Sequence, residues 1–237
     1  MGTLFDPGKK EIAMRLVCSA ENSSLDWRAQ YGYVEDIDDG RGYTGGIIGF
    51  TSGTHDMLKV VKRYASVAPE AMLAGFLPAL RAVDGTDSHA GLGQSFESAW
   101  RNAAADPRFR WAQDCERDES YFDPAVSQAI DDGVAELGQF IYYDTMVMHG
   151  PGEDADSFGG IRAHVLRRAR PPAQGGRETR YLRLFLKARA KVMRREDAHS
   201  ETDRIDTMQR KFLREGNLHL DPPLRWSVYG DPYEINN

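Results

Sequence analysis

The stretch from Gln30 to Phe50 is strand-like and glycine-rich, in a chain that elsewhere repeats its apolar residues at helical spacing. This contrast limits the fold to helices around one small β element. Gln30–Ile37 mixes aromatic, β-branched and acidic residues, Asp39-Gly-Arg-Gly42 reads as a turn, and Gly45-Gly-Ile-Ile-Gly-Phe50 as a short strand. A hairpin or a three-stranded sheet is the expected result. The first helix is expected to open at Asp6-Pro7, with Asp6 as N-cap acceptor and Pro7 where its missing N–H costs nothing. Ile12, Leu16 and Ala20 form one i,i+4 row of that helix and Ala13, Val17 and Glu21 the adjacent one, so Glu21 ends a core-facing stripe. A second helix is expected with Thr54 as cap, Asp56 in its first turn and Met57, Val61, Tyr64 and Ala65 inward. Further helices are expected over residues 68–83, 93–105, 106–118, 124–148, 179–196 and 202–215, before an irregular, Pro-rich tail. Residues 149–153 and 170–176 read as loops.

With 237 residues, of which 41% are hydrophobic and 28% charged, the chain has material for a substantial core in one domain or two modest lobes. No apolar run approaches the roughly 20 residues that span a bilayer, so no membrane partner is expected. The balance of 30 Lys+Arg against 36 Asp+Glu, net −6, argues against a dedicated nucleic-acid binder. The two cysteines, Cys18 and Cys115, make no disulfide framework and have no zinc spacing, and Cys18 reads as a small buried packing residue. No metal or organic cofactor is indicated.

Glu35-Asp-Ile-Asp-Asp-Gly-Arg-Gly-Tyr-Thr-Gly-Gly46 crowds carboxylates and glycines together. As a calcium loop starting at Asp36 it fails, because Gly40, Arg41 and Ile47 then occupy positions 5, 6 and 12. Gly40-Arg-Gly-Tyr-Thr-Gly45 matches GxGxxG literally, but it follows an acidic run and leads into a strand-like segment instead of a helix. What stands is a pair of carboxylates in different surroundings: Glu21 on the apolar stripe and Asp39 in a polar turn. A desolvated carboxyl holds its proton and a hydrated, hydrogen-bonded one stays ionised, so such a pair can supply the acid and the base of glycoside hydrolysis. The same residues also suit a Glu paired with a buried Arg and an Asp that only shapes a turn.

The runs Lys9-Lys-Glu-Ile-Ala-Met14, Ala20-Glu-Asn-Ser-Ser-Leu-Asp-Trp27 and Asp39-Gly-Arg-Gly-Tyr-Thr-Gly-Gly-Ile-Ile-Gly-Phe50 resemble the glycoside hydrolase family 46 chitosanases. The likeness continues in order through Tyr121-Phe-Asp-Pro-Ala-Val-Ser-Gln128, Val147-Met-His-Gly-Pro-Gly152, Ser157-Phe-Gly-Gly-Ile-Arg162, Pro172-Ala-Gln-Gly-Gly176, Gly216-Asn-Leu218 and Tyr229-Gly-Asp-Pro-Tyr233. The resemblance implies a mainly α, lysozyme-like α+β fold: a single catalytic domain of two largely helical lobes flanking a substrate cleft, with one small β-sheet. It implies an endo-acting enzyme that cuts β-1,4 links between glucosamine units of chitosan with inversion. Carried over by motif, Glu21 is the general acid, Asp39 the general base and Thr44 the hydroxyl that holds the attacking water.

The resemblance further implies sugar contacts at Ser23, Tyr33, Arg41, Thr54, Asp56, Glu196, His199 and Asp231. Carboxylates among them suit a substrate with an ammonium on each sugar. Asp144, Arg189 and Arg204 match a charge network behind the acid. The partners are then chitosan and glucosamine oligosaccharides, and the protein is expected to be a monomer. Trp27, Trp100 and Trp226 read as core residues, and the basic helix over 179–196 reads as a solvated face plus the internal Arg189, in preference to a polyanion site. Met1-Gly-Thr-Leu-Phe-Asp-Pro7 has no secretory signal pattern, yet a polymer too large to enter a cell implies an extracellular enzyme. Two other classes stay open: a lysozyme-like hydrolase of another amino-sugar polymer, and a sugar-binding protein without catalysis.

Overall fold

Asp6 starts the first helix as its sequence predicts: its carboxylate accepts from the backbone N–H groups of Gly8 and Lys9, and Pro7 fills the first turn. In the computed structural model, which describes residues 2–195 and 201–236, that helix, α1, runs Pro7–Glu21. Strands β1 (Val34–Asp36), β2 (Tyr43–Gly45) and β3 (Phe50–Thr51) follow, then helices α2 (Asp56–Val67), α3 (Leu77–Val83), α4 (Gln94–Ala103) and α5 (Pro107–Arg117). Helices α6 (Asp123–Asp131), α7 (Glu136–His149), α8 (Phe158–Leu166), α9 (Glu178–Met193) and α10 (Arg210–Glu215) come next, and the chain closes with β4 (Leu224–Val228) and β5 (Asp231–Ile235). The fold is mainly α, as expected. The chain divides into two compact units, one built from the segment up to Leu25 together with the chain from Ser120 onward, the other from Asp26–Glu119.

In the Asp26–Glu119 unit the expected three-stranded sheet forms, antiparallel in the order β1-β2-β3, with Glu35 opposite Thr44 and Thr44 opposite Thr51. Its strands differ from the expected ones. Gly46 and Gly49 both have positive φ, so residues 46–49 turn, and the apolar pair Ile47 and Ile48 is buried in that turn instead of a strand. Gly45 lets β2 lie directly on the core: a Cβ there would meet the Tyr33 carbonyl oxygen at 2.9 Å and the Trp100 ring at 3.2 Å. Trp100 packs edge-on against Phe109 and beside Phe96, and the buried Gln113 ties the layers by donating to the Tyr31 carbonyl and accepting from the Ile47 N–H. Thr54 does not cap α2. His55 holds the cap position with φ 74°, and the Thr54 hydroxyl turns instead to Thr51 and Asp56.

In the other unit α7 is apolar nearly all round and forms the centre, with Tyr142 stacked on Phe185 of α9 and edge-on to Phe158 of α8. The single helix expected over 124–148 is two helices, because Gly133 at φ 75° ends the first. Asp132 then closes the corner, accepting two bonds from Arg162 and one from Tyr142. The helix expected over 202–215 opens as a wide π turn, Arg204–Gln209, before α10. The tail is not irregular: β4 and β5 form a second antiparallel sheet, with Trp226 stacked on Tyr233 and its indole N–H donating to Ser19 of α1. Trp27, Trp100 and Trp226 are buried, as is Cys18.

Candidate functional site

Glu21 is the last residue of α1, with Asn22 capping the helix. At that position the stripe runs past the core, so the Glu21 side chain is 26% exposed, not buried as its row suggests. Its Oε1 accepts from Arg204 at 2.5 Å. Among the described residues Oε2 has no hydrogen-bond partner. Behind it lies the expected network: Arg204 also contacts Asp144 at 3.1 Å, and Asp144 accepts from Arg189 at 2.5 Å. Gln209, which the sequence reading missed, donates to the same Asp144 oxygen at 2.6 Å.

Asp144 and Arg189 are fully buried, and two carboxylates against two guanidinium groups leave the cluster balanced. Burial pushes the Asp144 carboxyl up, but the charges of Arg189 and Arg204 outweigh it and hold the group below its ordinary value. Burial works against the Arg204 charge too, and the carboxylates of Asp144 and Glu21 overcome it, so Arg204 is held more firmly protonated than usual. Arg204 opens the π turn, the kind of widened turn that recurs at working sites. Ser23 has φ 48° and sits beside the Tyr233 hydroxyl, while Asp231 begins β5 opposite Val228. Asn22 is a further candidate, because its Oδ1 is buried with no hydrogen-bond partner among the described residues.

In the Asp26–Glu119 unit, Asp39 sits in the β1–β2 connection between Asp38 at φ 55° and Gly40 at φ 78°. Arg41 folds back over it: its guanidinium donates to Oδ2 at 2.7 and 2.5 Å, and its backbone N–H donates to Oδ1 at 3.0 Å. The Asp39 side chain is therefore 5% exposed. The hydrated Asp and desolvated Glu expected from sequence are thus reversed, because a helix end and a folded-back Arg, not the apolar pattern, set the cover. Oδ2 is saturated by its two bonds and Oδ1 keeps one acceptor site.

Thr44 lies on the central strand β2, 7% exposed, and its Oγ1 is buried with no hydrogen-bond partner among the described residues. The Tyr33 hydroxyl donates to Glu35. The Asp56 carboxylate accepts from the N–H groups of Thr51 and Met57 at 2.8 Å each, and from the Thr54 hydroxyl at 3.2 Å, so one of its oxygens organises the start of α2. Glu196 and His199 lie outside the described residues. Among those residues no group of three or more His, Cys, Asp or Glu side chains is placed to hold a metal, and no helix is long and apolar enough to cross a membrane.

The profile of glycosyl hydrolase family 46 matches residues 15–224. A chitosanase of Streptomyces sp. (strain N174) is 62% identical over 234 residues, 99% of this chain and 84% of that protein. A chitosanase of Bacillus subtilis (strain 168) is 36% identical over 246 residues, 97% of this chain and 87% of that one. Among solved structures, the complex of a Gynuella sunshinyii chitosanase with chitotetraose superposes with a TM-score of 0.92 at 37% identity, covering 98% of both chains. Matched across most of its length in sequence and in fold, the chain belongs to glycosyl hydrolase family 46.

Proposed function

We propose that this glycoside hydrolase is an endo-chitosanase that cuts β-1,4 links between glucosamine units with inversion, with Glu21 as general acid, Asp39 as general base and Thr44 holding the attacking water. The observation that carries the reading is the buried Thr44 hydroxyl, which has no protein partner among the described residues. A buried polar atom left over by the fold has a use elsewhere, and a water molecule is the smallest group that satisfies it.

The proton path follows from which oxygens are free. In this reading Oε2 of Glu21, the oxygen that Arg204 leaves free, takes up a proton from solvent and passes it to the glycosidic oxygen as that oxygen's bond to the anomeric carbon breaks. The water held by Thr44 attacks the opposite face of that carbon and gives its proton to Oδ1 of Asp39, while Arg41 fixes the carboxylate through Oδ2. Glu21 ends ionised and Asp39 protonated, and exchange with solvent resets both. In this reading the whole chain is a single catalytic domain. Ser23, Tyr33, Thr54, Asp56 and Asp231, with Glu196 and His199, contact the sugars, and the carboxylates select free ammonium over the acetylated form. Chitosan is a polymer too large to enter a cell, so the reading includes an extracellular enzyme, and it takes that enzyme to be a monomer.

The test is reducing-end release from fully deacetylated chitosan, chitin and peptidoglycan by the wild type, Glu21→Gln and Asp39→Asn, with proton NMR of the anomer formed first. Release from chitosan alone, fresh α-anomer, and near-complete loss of activity in both variants are expected. Fresh β-anomer, a fully active Glu21→Gln enzyme, or preference for either other polymer would overturn the assignment.

A further inference from the structure

The solvent side of α9, opposite the buried Arg189, carries Arg183, Lys187, Lys191 and, just past the helix end, Arg194, all exposed. The first three recur every four residues, so they stand about 6 Å apart in a row about 12 Å long. Two cavities flank this row. One of about 410 Å³ is lined by Arg183, Lys187, Arg194, Arg210, Leu213 and Arg214, where α9 faces α10. The other, of about 420 Å³, includes His164, Arg168, Lys187, Lys191 and Arg194, where α9 faces α8. Lys187 and Arg194 belong to both, so the cavities adjoin.

Arg210 pairs with Asp206. No carboxylate of the described residues lies within ion-pair distance of Arg183, Lys187, Lys191, Arg194 or Arg214. Arg168 lies 2.7 Å from His164 Nε2, and burial together with the charges of Arg168, Arg167 and Lys191 holds that imidazole below its ordinary pKa, so it adds little to the cationic row. A net charge of −6 describes the whole surface and conceals this local concentration of the opposite sign.

We infer that the α8–α9–α10 surface is a binding site for a linear, phosphate-bearing polymer, seated along the α9 row with its charges in both cavities. A tetrahedral phosphate presents acceptor oxygens in more than one direction, and so takes cations from two helices at once, such as Arg183 with Arg214, or Lys191 with Arg168. A carboxylate can also bridge two cations, as Asp144 does between Arg189 and Arg204, but its two oxygens lie in one plane, whereas phosphate oxygens reach the walls of both cavities. Single phosphates neutralise one or two of these cations, whereas a polymer neutralises the row. Nucleobases find no Phe, Tyr or Trp platform among the described residues of the two cavities, whose remaining walls include Leu184, Ala188 and Leu213. A bilayer is disfavoured as well, since none of the large exposed apolar side chains among the described residues lies on this surface. The site repels a polycationic substrate, so the glucosamine chain itself does not occupy it.

The experiment measures binding of long-chain inorganic polyphosphate by fluorescence anisotropy between 50 and 200 mM salt. It compares the wild type, the triple variant Arg183→Gln/Lys187→Gln/Arg194→Gln, and a charge-matched control, Arg15→Gln/Lys62→Gln/Arg81→Gln. The patch variant is expected to bind on the order of 100-fold more weakly, with the slope of log affinity against log salt reduced by about 2. The control is expected to stay within about threefold of the wild type. Circular dichroism and chitosan hydrolysis are expected to be unchanged in the patch variant, which establishes that it is folded. Equal losses in both triple variants would mean diffuse charge attraction. Polygalacturonate bound as tightly as polyphosphate, or preferred binding to vesicles with 30% phosphatidylserine, would likewise overturn the inference.

Discussion

Replacing Asp144 by Asn keeps the shape of the side chain and removes one charge from the centre of the network. Asp144 and Arg189 are both 0% exposed in their side chains, and Arg204 is 4% exposed. Without the carboxylate, Arg189 keeps the distant Gln209 oxygen at 3.4 Å, the backbone carbonyl of residue 144 at 3.1 Å and the weakly accepting Met148 sulfur at 3.4 Å, none of them charged, and the new amide turns an N–H donor toward a guanidinium. Leaving a buried guanidinium without its carboxylate costs about 3–5 kcal/mol. In a chain of this size each kcal/mol moves the midpoint by roughly 2–4 °C, so Tm falls by about 6–20 °C.

The pH dependence fixes the cause. Asp144 titrates below the ordinary carboxylate value, so its contribution is fully present above about pH 3.9 and is lost as pH falls through the lower, folded value. Calorimetry of the wild type and Asp144→Asn from pH 7 down to pH 3 is therefore expected to show a wide gap that narrows on acidification. A variant within about 2 °C of the wild type at pH 7, or a gap independent of pH, would refute the reasoning.

Thr44→Val is expected to leave Tm unchanged or raise it by up to about 4 °C, since the lost hydroxyl bonds to no described protein group. The initial rate on chitosan is expected to fall by roughly 10- to 100-fold with the loss of a water's hydrogen bond, and a fully active variant would remove Thr44 from the mechanism. Gly45→Ala pushes a methyl group to 2.9 Å from the Tyr33 carbonyl oxygen and 3.2 Å from Trp100, and is expected to cost about 1–3 kcal/mol in urea unfolding; an unchanged midpoint would show that β2 yields freely.

Features set by short-range chemistry were legible in the sequence. Asp6-Pro7 began a helix, the strand-like stretch made a three-stranded sheet, and the large apolar indoles went inside. Features set by distant partners were not. Pro222, Pro223 and Pro232 read as breakers, yet Pro232 sits in a two-stranded ribbon where one edge needs no N–H, and Trp226 gains its place by stacking on Tyr233 and bonding Ser19. The cover on the two carboxylates was misread for the same reason. No hydrophobic pattern announces that Arg41 folds back onto Asp39, or that Arg204 reaches Glu21 across 183 positions of sequence. Gln209 gave no signal at all, because a lone Gln in a helical run is usually solvated and here it completes a buried cluster.

That reach of 183 positions also has a meaning in time. The ribosome makes α1 first and the Asp26–Glu119 unit next, so a nascent chain holds both carboxylates long before Arg204 is added. Until then Glu21 ends a helix with no guanidinium to hold it, and Asp144 has no second cation. The network of Glu21, Arg204, Asp144 and Arg189 closes only when the last part of the chain folds back onto the first, which makes completion of synthesis itself the step that assembles it.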